Sequence, residues 1–211
     1  MTQATKPLTF EEFLELRPEA GRYELINGEI VRFLPTRQHD NVADFILFIL
    51  NDEVRRKNLN YKVTDRIALA TNTVDGKEQG RHPDVSVVSL DIWQSNKLAS
   101  SALREPLALA VEVVSTNWED DYVDKLDEYQ RLGIREYWIV DYLAVASRAY
   151  LGNPKVPTVF VYHLVGGEYQ VLSFTSNAPI VSPTFGELPF SALADFGASV
   201  AIQHNKIIKQ F

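Results

Sequence analysis

Apolar and polar positions along this chain switch between two periods, and the switches mark out its elements. Over FEEFLELR (10–17) apolar residues fall at 10, 13, 14 and 16, the spacing of a short amphipathic helix, with Thr9 placed to cap its start. RYELINGEIVRFLP follows, and Asn27-Gly28 between its two strand-like runs is a strong hairpin signal. Residues 38–57 return to helical spacing, with Val42, Phe45, Ile46, Ile49, Leu50 and Val54 on one wide face. Arg55, Arg56 and Lys57 suit the negative end of that helix's dipole. YKVTDRIALAT (61–71) predicts a strand, and NTVDGKEQG predicts the loop after it.

The middle of the chain is built of short, strongly apolar runs. HPDVSVVSL (82–90) and LALAVEVVST (107–116) read as strands, the second with the near-continuous apolarity of a strand buried on both faces. NWEDDYVDKLDEYQRLG then takes helical period, with acids in its first turn and Gly133 as its stop. EYWIVDYLA (136–144) is another buried strand. Strand, helix and strand in that order predict a right-handed crossover, so part of the sheet is parallel. TVFVYHLVGGEYQVLSF reads as a hairpin centred on Gly166-Gly167, and a helix is expected near 190–196. With no repeat or dividing linker, the pattern predicts one domain over 1–211. Its class is α/β or α+β: a central mixed β-sheet flanked by helices, with added β-hairpins.

Composition narrows the function. The 211 residues are 45% hydrophobic and 23% charged, an ordinary globular balance. The chain has no cysteine, which excludes a disulfide scaffold, a thiolate metal site and a cysteine nucleophile. The acidic N-terminus lacks an apolar signal segment, and FILFIL (45–50) is too short to span a bilayer, so a soluble cytoplasmic protein without membrane contact is expected. Lys and Arg number 21 against 28 Asp and Glu, a net charge of −7. That balance argues against tight binding of a phosphate backbone by net charge alone, although a metal-dependent phosphodiesterase must spend several carboxylates on its ions.

Three residues carry candidate chemistry. Glu112 interrupts an apolar strand, where an unpaired carboxylate is costly. It needs a Lys or Arg partner, a metal, or a strand end that solvent reaches. Asp84 follows Pro83 at a strand start, which fits turn chemistry as well as a metal ligand. Two acids on neighbouring strands can converge on one divalent cation, and oxygen-only ligands select Mg2+ or Mn2+. Lys125 falls on the helical wheel between Tyr129 and Leu132, on the arc that faces the sheet. It either pairs with Asp121 four residues back or reaches over the strand ends to a phosphate or an attacking water. The four histidines (39, 82, 163 and 204) lack zinc-ligand spacing, and neither a Ser-His-Asp set nor a phosphate-binding P-loop is evident.

HPDVSVVS, LALAVEVVST and DYVDKLDEYQRLGIREYWIVD, in that order, resemble the Uma-two family of endonucleases, which share the restriction-endonuclease-like PD-(D/E)xK fold. YELINGEI and His39 before a long helix also match, so the resemblance runs from about residue 9 to 190. It implies that Asp84 and Glu112 bind metal and that Lys125 is the catalytic lysine. Glu24, His39, Asp121 and Tyr129 are its accessory candidates. The fold's usual lysine stands two residues after the glutamate, where this chain has Val114, so the resemblance implies that the lysine has moved to the helix.

The expected function is a Mg2+-dependent (or Mn2+-dependent) DNA endonuclease, hydrolysing phosphodiester bonds with metal-activated water and acting as a homodimer. The alternatives are a catalytically inactive nucleic-acid or protein interaction module on the same fold, and a hydrolase of another phosphoester.

Overall fold

The computed structural model describes residues 6–96 and 98–191. Helix α1 (Phe10–Leu16) opens with a capping box between Thr9 and Glu12, as its sequence predicts. Strands β1 (Arg22–Ile26) and β2 (Glu29–Phe33) form the expected hairpin. Asn27 and Gly28 both take positive φ, and a Cβ on Gly28 would collide with Pro7. Helix α2 (Arg37–Lys57) is capped by the Thr36 side chain at its start and by left-handed Asn58 at its end.

The run read as one strand over 61–71 is two. Strand β3 (Tyr61–Thr64) and β4 (Ala68–Asn72) lie in different sheets, and Asp65–Ile67 is the break between them. Nor is 72–80 a loop throughout. The chain turns at Thr73–Lys77 and enters β5 (Glu78–Arg81), whose Gln79 and Arg81 are buried although their residue types suggest exposure. Strand β6 (Val85–Ser89), helix α3 (Leu90–Ser95), strand β7 (Ala102–Leu103) and strand β8 (Leu109–Val113) follow. The predicted central helix begins as a π-helical turn, Asp120–Asp124, and continues as α4 (Lys125–Leu132), closed by left-handed Gly133. Strand β9 (Glu136–Asp141), helix α5 (Arg148–Leu151) and the hairpin β10 (Thr158–Val165) with β11 (Glu168–Thr175) come next. Strands β12 (Pro179–Ser182) and β13 (Gly186–Ser191) pair at the end. Residues 190 and 191 are therefore strand and not helix, and the rest of the helix expected over 190–196 lies outside the described residues.

The strands form a six-stranded sheet in the order β11-β10-β9-β8-β6-β3 and a five-stranded sheet in the order β2-β1-β5-β4-β7. Both are mixed: β8 with β9 and β4 with β7 are parallel, and the other pairs are antiparallel. Helices cover both faces of the larger sheet. Val42, Ile46 and Leu50 of α2 pack on Val85, Val87, Val111 and Trp138. On the opposite face Tyr129 of α4 packs with Ala110, Tyr137 and Ile139. Helix α1 covers the smaller sheet through Phe10 and Phe13 against Leu25, Ala68 and Ala70. A Cβ on Gly80 would press on Phe13 and Leu25 at about 3 Å, so the small residue lets α1 sit down. Among the described residues no helix is long and apolar enough to cross a membrane.

Candidate active site

The pleat of β8 decides where Glu112 points. Val111 and Val113 belong to the core under α2, while Ala110 and Val114 belong to the core under α4. Glu112, in step with the second pair, therefore faces the helix that carries Lys125. Strand β6 runs antiparallel to β8 with Val85 opposite Val111, so one residue further on Asp84 stands opposite Glu112. The Val113 N–H fixes Asp84 by donating to its Oδ2 at 2.8 Å. Both acids line one cavity of about 450 Å3, together with Glu24, His39, Asp121 and Lys125.

Lys125 is buried at the centre of this group. Its Nζ lies 3.0 Å from Glu112 Oε2 and 3.0 Å from Asp121 Oδ1, with Glu24 and Asp120 each at 3.8 Å. The pairing with Asp121 and the reach to the strand acid thus both occur, and they are not alternatives. Burial opposes the lysine's charge, but Asp121, Glu112 and Glu24 outweigh it and hold the ammonium well above the usual lysine range. The π-helical turn presents these groups: the Lys125 N–H bonds back to the Asp120 carbonyl, and the Asp121 carbonyl takes the Tyr137 hydroxyl at 2.9 Å.

The remaining candidates act on the acids. Tyr129 donates its hydroxyl to Glu112 Oε1 at 2.6 Å. His39, in the first turn of α2, places Nε2 3.2 Å from Asp84 Oδ2. Glu24 accepts from the His82 N–H at 3.0 Å and from Arg81 at 3.2 Å. All seven predicted residues therefore meet at one place. Nothing in the hydrophobic pattern flags four others that the structure adds. Arg22 bonds Asp84 Oδ1 at 2.9 Å. Arg81, buried, ties Glu24 to Asp120 at 3.1 Å and to Glu128 at 2.7 Å. Arg81 immediately precedes the His-Pro-Asp segment, but a charged residue in an apparent loop carries no burial signal.

Charge is unevenly shared here. Burial pushes the Glu112 carboxyl well up, and the neighbouring Asp84, Asp121 and Glu24 carboxylates add to this against the pull of Lys125. Burial likewise pushes Asp121 up, to about 6. Asp84 goes the other way: burial opposes its charge, but His39, the Val113 N–H and Lys125 hold it below the usual range. Each carboxylate offers about four lone-pair positions. Glu112 uses one for Tyr129 and one for Lys125, so it keeps acceptor capacity toward the cavity. Among the described residues no three His, Asp or Glu side chains converge as a complete ligand set. Mg2+ needs only one or two carboxylates beside water and phosphate, so this crowded, hard-oxygen donor set fits such an ion.

The sequence profile of the Uma2 family, described as "Putative restriction endonuclease", matches residues 10–192. No curated protein matches the chain. Among solved structures, one from Anabaena variabilis titled as a putative nuclease belonging to DUF820 superposes with a TM-score of 0.66 at 19% identity, covering 92% of this chain and 99% of that one. The likeness places the two chains in one fold.

Proposed function

This chain belongs to the Uma2 family, and from that premise we propose that it is a divalent-metal-dependent DNA endonuclease, one nuclease domain of the PD-(D/E)xK type, with Asp84, Glu112 and Lys125 as its reacting centre. The observation that carries the reading is the convergence of two strand acids and a buried lysine in one cavity, with Lys125 Nζ 3.0 Å from Glu112. Asp84 and Glu112 would hold the ion. When bound there, Mg2+ or Mn2+ supplies Lewis acidity toward a phosphoryl oxygen and makes a bound water acidic enough to attack at neutral pH.

The chain's own groups do the rest. Lys125, kept charged by its carboxylate neighbours, is placed to offset negative charge as it builds on the phosphoryl oxygens. Tyr129 fixes the rotamer of Glu112, and His39, Arg22 and the Val113 N–H fix that of Asp84. Val114, at the position where the usual motif has lysine, is buried in the core under α4, so Lys125 reaches the acids from the helix instead.

Supercoiled plasmid incubated with Mg2+ or Mn2+ tests this. The wild-type chain should nick it, EDTA should stop the reaction, and Asp84→Asn or Lys125→Ala should lower the rate by about 10²–10³-fold. Wild-type-like nicking by Lys125→Ala would sink the lysine assignment. A homodimer enters the reading as the means of cutting both strands of a duplex, and light scattering at micromolar concentration measures it. A monomer mass confines the activity to one strand at a time.

A further inference from the structure

We propose that DNA enters this cavity unpaired, as a single strand or a locally opened one, with one base seated on the apolar wall and its phosphate turned toward Lys125 and Arg22. The inference rests on the nuclease reading and narrows its substrate. Depth is the first argument. Glu112 is only 2% exposed, Lys125 4% and Asp84 7%, so the reacting groups form the floor of the cavity and not a surface. The backbone of a duplex lies on the outside of a stiff rod whose bases are stacked inside. Base and phosphate of one nucleotide enter the 450 Å3 cavity together only when that nucleotide is unstacked, and a free strand allows this because its backbone torsions are not tied to a partner.

The lining is the second argument. Val31, Phe33, Leu34 and Pro35 line the cavity from β2 and the segment after it, and Leu143 and Val145 line it from the segment after β9. Leu34 is 83% exposed and Leu143 54%, so each segment carries a large apolar side chain open to solvent beside a charged floor. A flat apolar ring satisfies such walls, and a phosphate alone does not. Phe33 supplies an aromatic face whose centroid lies 5.9 Å from Lys125 Nζ. Lys125 stands over that ring, so the apolar wall meets the charged floor within the reach of one nucleotide.

Net charge is the third. Duplex binding draws on a broad positive field, and this chain carries −7. Its cavity sets Arg22, Arg32 and Lys125 among five carboxylates, so it offers no net positive field either, and stacking works without one.

The test uses one labelled sequence as a single strand and as a blunt duplex. Binding is read by fluorescence anisotropy in Ca2+, and cleavage is read in Mg2+ and in Mn2+. The single strand should bind about tenfold tighter or more and be cut faster, and Leu34→Ser with Leu143→Ser should remove about a tenfold share of that affinity. Both leucines are exposed, so the variant should keep the wild-type melting temperature. A duplex bound and cut as well as the single strand overturns the inference and leaves the nuclease reading standing. Unchanged single-strand affinity in the double variant also overturns it, because the apolar wall is then not the seat. Tight single-strand binding without cleavage under either metal upholds the cavity and overturns the nuclease reading. Failure to bind or cut either form overturns both.

Discussion

Two glutamates on adjacent parallel strands, Glu112 of β8 and Glu136 of β9, are both buried, and they are treated in opposite ways. Glu136 accepts from Trp138 Nε1 at 2.6 Å, from Ser182 Oγ at 3.0 Å and from the Thr184 N–H at 2.8 Å. Burial raises its carboxyl and those donors pull it back, with no cation in ion-pair distance among the described residues. Its bonds tie β9 to the segment around β12, which is a structural task. Glu112 has one neutral donor, Tyr129, one cation, Lys125, and three carboxylates that disfavour its charge. Packing alone gives no reason to gather four acids within 4 Å of one lysine. Like charges in a buried place destabilise a fold, and they persist where a cation or a reaction needs them.

The contrast breaks first on activity. Glu112→Gln should lower plasmid nicking by about 10²-fold or more, while Glu136→Gln, remote in role, should leave the rate per folded molecule near wild type. Equal losses would erase the distinction between the two glutamates.

Stability sharpens it next. Lys125→Met strands Glu112 and Asp121 beside each other, and breaking a buried ion pair costs about 3–5 kcal/mol. The loss should depend on pH with a definite sign. Asp121 stands at about 6 in the folded wild type even though Lys125 pulls it down. Removing the ammonium raises it and Glu112 further, so the variant loses more stability than the wild type as pH rises and these carboxyls must ionise. Urea midpoints should therefore show the variant nearest wild type at pH 4 and furthest from it at pH 7–8. A pH-independent gap would contradict the assignment of the penalty to uncompensated carboxylates.

Two smaller effects follow. Glu136→Gln turns an acceptor-only group into one whose amide faces three donors, costing about 1–3 kcal/mol. The same exchange at Glu112 should cost less, since it also removes like-charge repulsion. Tyr129→Phe removes one hydroxyl from Glu112 and should cost about 1 kcal/mol in thermal unfolding, with a fall in nicking smaller than that of Glu112→Gln.

Much of this comparison was legible in the sequence, for identifiable reasons. A charged residue inside an apolar strand stands out, and that contrast exposed Glu112. The helical wheel placed Lys125 correctly even though its helix begins with a π turn, because the residues from Lys125 onward keep α-helical spacing. The two-residue Asn27-Gly28 turn fixed the first hairpin through backbone sterics alone. Polar residues buried in segments of loop-like composition were not legible. The segment before the His-Pro-Asp motif looks like loop because Gln79, Gly80 and Arg81 resemble surface residues, yet β5 is interior and Arg81 organises Glu24, Asp120 and Glu128. The break at Asp65–Ile67 stayed hidden because Ile67, Ala68 and Leu69 carry the apolar run across it. Which sheet a strand joins is set by tertiary pairing, which no local window contains.

If the crowded carboxylates hold a cation, calorimetric titration of Mn2+ into the metal-stripped chain detects it without relying on turnover. Saturable binding is expected from the wild type and from Glu136→Gln, and its loss from Asp84→Asn and Glu112→Gln variants that still unfold cooperatively. Mn2+ binding of wild-type strength by Glu112→Gln would show that these carboxylates are not the cation's ligands.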